Sequence, residues 1–427
     1  MDNEELKRKL MGLWEKTTHN SKDLLSILFD YYFDDRYLEY KELEGRVVSA
    51  LFGIPYEFGC GEKKLSGLYL ISLSSEEGYR KKGILAELLQ TVNNRFAKQF
   101  DFTFIVPHTE LLADYFGTQG YFNSFFIMEE RYTPFHDFRN DYLITLTDSD
   151  ERIRSLKIHL LEEIKVIDNT EKKFPHSQII KFIEKIESKS RSSVNLRHTY
   201  KDLEYLLHEN SLGNLNFYIS YDTDGKITGV IFTKKEDLKR VKILASYVAD
   251  SCSYYAILEF IKHQLPDESF TIIKSDYKQP TSQAIIRQTY ASANPSGIDL
   301  DNTFETVELP FNYNKLLQPL GMARLLRFEN ILKYIAETRS DVEFKLHIRD
   351  YNEEVSKGIN SNEVVFVVKS GKLNIEPLKD FYNDRSLLHL SVKEISELLL
   401  RKNDSSNLIM EAFGIPRLDL QYKLLPF

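Results

Sequence analysis

Cysteine is almost missing from these 427 residues: there are two, Cys60 and Cys252. Two thiols cannot build a disulfide framework, so a small stapled secreted scaffold is excluded. No apolar run approaches the roughly 20 residues of a spanning helix, and the start of the sequence carries no signal-peptide pattern. The expectation is therefore a cytoplasmic protein with no membrane partner. An excess of positive charge is missing as well. The net charge is -8 and no basic stripe occurs, which argues against nucleic acid as a partner. The sequence has no Walker-type glycine loop, no glycine-flanked serine elbow and no histidines paired at metal-ligand spacing. Gly59-Cys60-Gly61 begins like a dinucleotide loop, but Lys64 stands where the last glycine belongs. His108, His198 and His208 are scattered singly, so no metal is expected.

What is present is ordinary globular material, 42% hydrophobic and 28% charged, in a chain long enough for two or three domains that each bury a core. Its most informative stretch is Leu68 to Leu89. An apolar strand runs into a short polar loop, and a helix is predicted to begin at Arg80-Lys81-Lys82-Gly83. A helix N-terminus presents unpaired N–H groups and the positive end of the helix dipole, which together favour an anion. Arg80, Lys81 and Lys82 add cations, and Gly83 has no side chain to keep phosphate oxygens from the backbone. Ile84, Leu85, Leu88, Leu89, Val92 and Phe96 fall on one helical face and are predicted to pack on a sheet.

These residues resemble the pyrophosphate loop of the GNAT superfamily of N-acetyltransferases, in which a basic or amide residue is followed three positions later by glycine. Arg80 and Gly83 match. Leu85 stands where most members have a small residue, and in that departure the loop resembles the enhanced-intracellular-survival (Eis-like) branch, with its basic triplet, glycine and two aliphatic residues. The resemblance implies that Arg80, Lys81, Lys82, Gly83 and Ile84 hold the diphosphate of acetyl-CoA. It also implies that the backbone of Leu73, Ser74 and Ser75, at the end of a strand splayed from its neighbour, pairs with the pantetheine arm. A splayed strand leaves N–H and C=O groups without partners, and the cosubstrate would complete the sheet.

The flanking elements fit that order. Arg46 to Tyr56 and Leu65 to Leu73 read as strands, followed by the loop helix, a buried strand Phe102 to Val106, a helix from about Thr109 to Phe116, and a strand Phe125 to Met128. Before them, two helical patterns end in Phe29, Tyr31, Tyr32 and Phe33, followed by Asp34 and Asp35. Aromatic residues at helical spacing pack a core; in Eis-like enzymes the corresponding helices wall the acceptor pocket. Tyr32, Phe33 and Asp34 are thereby candidates to contact a cationic amine. The segment Tyr115-Phe116-Gly117-Thr118-Gln119-Gly120-Tyr121 resembles the one from which the family draws the tyrosine that protonates the departing thiolate. That position is Phe116, which has no proton to give. Tyr115 is adjacent, one helical step of about 100° away. Either Tyr115 reaches the sulfur, or the thiolate leaves unassisted, or the chain does not turn over.

From about Leu146 the composition turns more polar. Leu156 to Lys173 and Ser177 to Ser188 read as amphipathic helices. Strands are predicted at Asn216 to Tyr221, Ile227 to Lys234 and Val241 to Val248, then a helix Ser253 to Gln264 and a strand Phe270 to Lys274. This repeats the first element order. Ala249-Asp250-Ser251-Cys252-Ser253, at the position of the phosphate loop, has neither a basic residue nor a glycine, so nothing there would hold a diphosphate. Beyond Pro310 come a predicted helix Gly321 to Thr338, strands Val342 to Arg349 and Val364 to Val368, a Gly371-Lys372 turn, and a helix Ser391 to Lys402 opened by a Ser391/Glu394 capping box. This order resembles the sterol-carrier-protein-like domain that closes Eis-like chains. In that family the chain end threads back into the acetyltransferase domain, so the carboxylate of Phe427 is a candidate base; alternatively Phe427 only packs an apolar end.

The sequence thus predicts an α+β protein: a GNAT domain over 1–145, a second GNAT-like domain without a cosubstrate site over 146–309, and a sterol-carrier-protein-like domain over 310–427. The resemblance implies acetyl transfer from acetyl-CoA to a primary amine on a small-molecule or peptide acceptor, and a homo-oligomer. The competing reading is an acetyl-CoA-binding sensor or scaffold that lost its chemistry at position 116.

Overall fold

The computed structural model describes residues 3–18, 21–60, 62–144, 163–168, 176–187, 194–212, 215–237, 240–274, 313–350, 363–400, 418 and 420–421. These form two compact units. The first holds the described residues of Met1–Phe126, Arg191–Arg197 and Pro319–Gln421; the second holds those of Ile127–Ser190 and His198–Gln318.

The first unit opens with helices α1 (Asn3–Thr18) and α2 (Lys22–Tyr32), the latter capped by the Ser21 hydroxyl on the Leu24 amide. Strands β1 (Leu38–Leu43) and β2 (Arg46–Cys60) follow, joined through Glu44 and Gly45, both at positive φ, as a two-residue hairpin requires. Then come β3 (Lys63–Ser75), α3 (Ile84–Phe96), β4 (Phe102–Ile105), α4 (Glu110–Thr118) and β5 (Phe122–Tyr132), whose first five residues belong to this unit. Three strands arrive from later in the chain: β7 (Val194–Arg197), β12 (Tyr313–Leu325), whose residues 319–325 belong to this unit, and β17 (Leu420–Gln421). The strand order is β17-β7-β2-β3-β4-β12-β5, with β1 on β2. β3 runs parallel to β4, and β2 antiparallel to β3.

Helices cover both faces of this sheet. Leu51 and Phe52 are neighbours in β2 and so point to opposite faces. Leu51 joins a core with Leu88, Leu89, Val92 and Phe96 of α3. Phe52 stacks on Phe33 and meets Trp14 of α1, which is fully buried.

Two expectations are corrected here. The helix predicted from Gly321 begins at Phe328: residues 322–325 are strand, pairing Met322 with Ile105 through Leu325 with Phe102. Apolar residues at the strand end run in phase with those of the helix, so the sequence pattern merges the two. The partner strand decides, and the break is fixed by Leu326 and Arg327 amides donating to the Asp101 carbonyl at 2.8 and 3.2 Å. Likewise, part of the predicted helix Leu156 to Lys173 is strand β6 (Lys165–Asp168), because Val166 and Ile167 find an antiparallel partner.

The first unit also holds a four-stranded sheet. It contains β13 (Phe344–Ile348), β14 (Val364–Lys369), β15 (Lys372–Pro377) and β16 (Leu387–Leu390), ordered β15-β14-β13-β16.

In the second unit, residues 127–132 of β5 are followed by α5 (Phe138–Ile144), β6, α6 (His176–Glu187) and α7 (Tyr200–Ser211). Then come β8 (Asn216–Tyr221), β9 (Ile227–Asp237), β10 (Arg240–Val248), α8 (Ser251–Gln264) and β11 (Ser269–Lys274). The order is β5-β11-β10-β9-β8-β6. Back in the first unit, α9 (Phe328–Thr338) and α10 (Val392–Leu400) accompany the four-stranded sheet. β1, α5, β7, α7, β16 and β17 lie outside every predicted element. No described helix is long and apolar enough to cross a membrane.

Candidate functional site

The site is built where β3 leaves β4. The parallel pairing covers Gly67, Leu68 and Tyr69 against Phe102, Thr103 and Phe104, while β3 itself continues to Ser75. Ala50 pairs with Ser74 and Phe52 with Ile71, so Ser72 and Leu73 together face Leu51. That is a bulge, and Ser72 in it has φ +53°. A bulge bends its strand and increases its twist, which turns the last residues of β3 aside. A left-handed serine costs about 1–2 kcal/mol and must be held by its surroundings. Ser49 of β2, fully buried, supplies the hold: its hydroxyl donates to the Ser74 carbonyl at 2.9 Å and lies 2.8 Å from the Ser75 hydroxyl. Leu73, Ser74 and Ser75 are thus fixed from the β2 side and have no strand partner on the β4 side among the described residues. The Ser74 hydroxyl is buried without a hydrogen-bond partner among the described residues, a rare condition in a folded interior.

The loop after β3 uses up some of its amides. Glu76 donates to the Val48 carbonyl, Tyr79 to Glu76, and Arg80 to Glu77 at 3.2 Å. The Arg80 side chain folds back, its Nε donating to the Ser75 carbonyl at 3.2 Å. From there the chain turns left-handed twice, at Lys81 (φ +61°) and Gly83 (φ +79°), so α3 starts at Ile84 and not at Arg80 as predicted. Among the described residues the amides of Lys81, Lys82 and Gly83 have no protein acceptor. Ile84 opens the first turn of α3, whose N–H groups cannot be met within the helix. Gly83 provides no side-chain cap, and a Cβ there would meet nothing within 4 Å. Lys81 and Lys82 are exposed, with Lys82 Nζ 4.8 Å from the centre of the Tyr79 ring. Left-handed residues interleaved in a turn of amides without protein acceptors make an anion cradle, and Arg80, Lys81 and Lys82 lie in the same stretch of chain.

The acceptor candidates lie on the other face of β2. Tyr32 is buried, and Phe33 stacks between Phe29 and Phe52 at centroid distances of 5.0 and 6.0 Å. Asp34 is engaged locally: it accepts from the Arg36 amide and from Arg36 Nε and Nη2, the last at 2.6 Å. Such an exposed pair is worth about 0–1 kcal/mol, so a cationic ligand would displace it at small cost. An open groove of about 550 Å³ runs between α1 and α2, floored by Met11, Gly12 and Phe29. Among the described residues no group of three or more candidate ligands gathers to hold a metal. Phe427 lies outside the described residues.

No protein-family model and no curated protein matches the chain. Solved structures do. A conserved protein of unknown function from Enterococcus faecalis, described as a probable N-acyltransferase, superposes with a TM-score of 0.66 at 14% identity, covering 97% of this chain and 91% of that one. A GCN5-related N-acetyltransferase from Anabaena variabilis gives 0.61 at 14% identity, over 96% and 92%. Eis1 from Mycobacterium abscessus gives 0.57 at 9% identity, over 97% and 92%. The chain has the GNAT fold.

Within this GNAT fold the Tyr115 and Phe116 side chains diverge. Phe116 is buried in the α3 core, edge-on to Tyr121 at 6.2 Å. Tyr115 is half-buried on the rim of that core, which it shares with Leu73 at the end of β3 and Leu85 at the start of α3. Burial raises its phenol pKa, so the group stays protonated at neutral pH. Its hydroxyl has no hydrogen-bond partner among the described residues. Tyr121, the next phenol along, is enclosed: its hydroxyl meets Thr103 at 3.0 Å and Asn93 at 3.4 Å. The turn between them is clamped by Arg324 of β12, whose Nη1 donates to the Gln119 carbonyl at 2.7 Å. Ser49, Ser72 and Arg324 escape sequence reading. A serine in an apolar run carries no sign of its strand-end partner, and Arg324 is far away along the chain.

Proposed function

We propose that the first unit binds acetyl-CoA where β3 parts from β4 and transfers the acetyl group to a primary amine of a small molecule or peptide. The observation that carries this reading is the bulged end of β3, unpaired on one side among the described residues, running into the left-handed turn at Lys81–Gly83, which no described side chain caps. Backbone groups of Leu73, Ser74 and Ser75 would pair with the pantetheine arm, and a strand-end N–H would polarise the thioester carbonyl. Arg80, Lys81, Lys82, Gly83 and Ile84 would hold the diphosphate.

The amine nitrogen attacks the thioester carbon, the C–S bond breaks, and the amine's proton leaves while a thiolate departs. Tyr115 is the one candidate on the α4 rim to protonate that thiolate. A thiol of pKa about 8.5 also leaves tolerably without help at neutral pH. The carboxylate of Phe427 is the proposed base for the amine, and Tyr32, Phe33 and Asp34 are the proposed acceptor contacts. The Eis-like assignment, the three-domain division at 145 and 309, a sterol-carrier-protein-like last domain, a cytoplasmic location and homo-oligomerisation belong to the same proposal.

One observation favours a second reading. Phe116, at the position the resemblance assigns to the proton donor, has its ring buried in the α3 core. An acetyl-CoA-binding sensor would tolerate that. The test is release of free thiol from acetyl-CoA across polyamines, aminoglycosides and peptides, beside calorimetric binding of CoA. Turnover on any amine supports the transferase; tight CoA binding with no turnover supports the sensor; no CoA binding overturns both.

A further inference from the structure

We propose that His347 and His389 form an open two-histidine site for a late first-row divalent metal ion, taking Cu²⁺ ahead of Ni²⁺ and Zn²⁺. The two residues face each other across the parallel pair β13 and β16, in register. Their Nδ1 atoms are 3.1 Å apart, and the rings cross at 79° with centroids 5.2 Å apart. Two nitrogens bonded to one ion at about 2.1 Å are separated by about 3.0 Å at a right angle and about 3.4 Å at the tetrahedral angle. The observed spacing falls between these values, so the two nitrogens already stand at a chelating separation, and each ring must turn to aim its lone pair at a shared ion.

The backbone beneath the pair is fixed. Leu346 pairs with Leu388 and Ile348 with Leu390, while the Arg349 amide donates to the Leu390 carbonyl at 2.8 Å. His347 is buried and His389 exposed, so the site has a firm inner ligand and an outer one that solvent and ions reach. The neighbouring charges are already balanced: Lys345 is 2.6 Å from Asp384, and Arg349 is 2.9 Å from Glu394.

The proton balance is simple. In the neutral pair one ring donates its Nδ1–H to the other. To ligate through both Nδ1 atoms, that proton leaves Nδ1, either for Nε2 of the same ring or for solvent. With two protein ligands, water completes the coordination, and the order of metals follows the Irving–Williams series.

The test is titration of the tag-free full chain with CuCl₂ at neutral pH in a non-chelating buffer, by calorimetry and electron paramagnetic resonance. The chain has 10 histidines, so variants isolate the pair. The expected result is one equivalent with a two-imidazole nitrogen pattern. Losing one arm of a chelate should cost about 100-fold or more in affinity in His389→Asn, while His208→Asn leaves the titration unchanged. His389 is exposed, so its variant keeps the test open even if His347→Gln does not fold. Unchanged Cu²⁺ affinity in His389→Asn, or a wild type that binds no Cu²⁺ or shows a single nitrogen, overturns the site.

Discussion

Helices α3 and α8 occupy equivalent places in the two units, each following a strand that leaves its parallel neighbour early. β3 pairs with β4 over three residues, and β10 pairs with β11 over Arg240 to Ile243, with β10 bulging before Ala245. The sheets therefore do the same thing twice. The helix starts do not. α3 begins at a left-handed glycine with no acceptor across its N–H groups among the described residues, whereas Asp250 caps α8, its carboxylate accepting from the Ser253 amide at 2.7 Å. Asp250 satisfies the donors that a phosphate would need and puts a negative charge there. The lesson is that splaying a sheet is a property of the fold, while leaving the helix end open is a choice made at one residue.

Moving that residue should break the comparison most. Gly83→Asp is expected to lower CoA affinity at least about 100-fold by adding an anion to the helix N-terminus, with the fold retained in circular dichroism. Calorimetry that shows unchanged binding would disconnect the loop from the ligand. Next in size, Tyr115→Phe should lower turnover about 100-fold with CoA affinity intact if its phenol is the acid, and leave turnover unchanged if the thiolate leaves alone. Phe116→Tyr is a poorer restoration than the sequence suggests. Its hydroxyl would enter the α3 core at a cost of about 1–3 kcal/mol, visible as a lower midpoint in urea.

Asp250→Ala, by contrast, should cost about 1 kcal/mol of stability and change nothing in CoA binding. The smallest effect sharpens the contrast with a third closed helix end, α10. Ser391 Oγ accepts from the Glu394 amide at 3.2 Å, and Glu394 accepts from the Ser391 amide at 2.6 Å. The Ser391 amide, the Ser391 hydroxyl donating to the carboxylate at 2.8 Å, and Arg349 pull the Glu394 pKa from 4.5 down to about 2. A lowered folded-state pKa gives stability that is present above pH 4.5 and lost as the pH falls toward about 2. The stability gap between wild type and Glu394→Gln should therefore close over that window, and a gap independent of pH would contradict it.

What the sequence made legible was local. Arg80 and Gly83 could be singled out because a left-handed turn before a helix calls for glycine and a phosphate calls for cations. The Ser391/Glu394 box was readable because its two partners sit three residues apart. The fold class followed from element order, which alternating apolar patterns preserve. The failures were all settled at a distance. Whether 322–325 is helix or strand depends on β4, and residues 165–168 became strand because β8 had an edge to fill. The bulge at Ser72 depends on Ser49 across the sheet, and serine carries no left-handed signature of its own. Asp250 was read only as the absence of a phosphate loop, although an aspartate three residues before Ser253 is the signal of a cap.

The insertion of β12 between β4 and β5 has a consequence for how the protein comes into being. The Ala323 amide reaches the Ser124 hydroxyl across 199 residues of chain. A ribosome that has released the first 145 residues has therefore delivered a sheet with a slot in it, flanked by two bare strand edges of the kind that recruit other chains. The slot closes only after the whole intervening unit has been synthesised, so early folding depends on shielding these edges, and loop closure of that length makes the step slow. Expressed alone, residues 1–145 should be recovered in aggregates, and a co-expressed fragment that supplies β12 should bring them into solution.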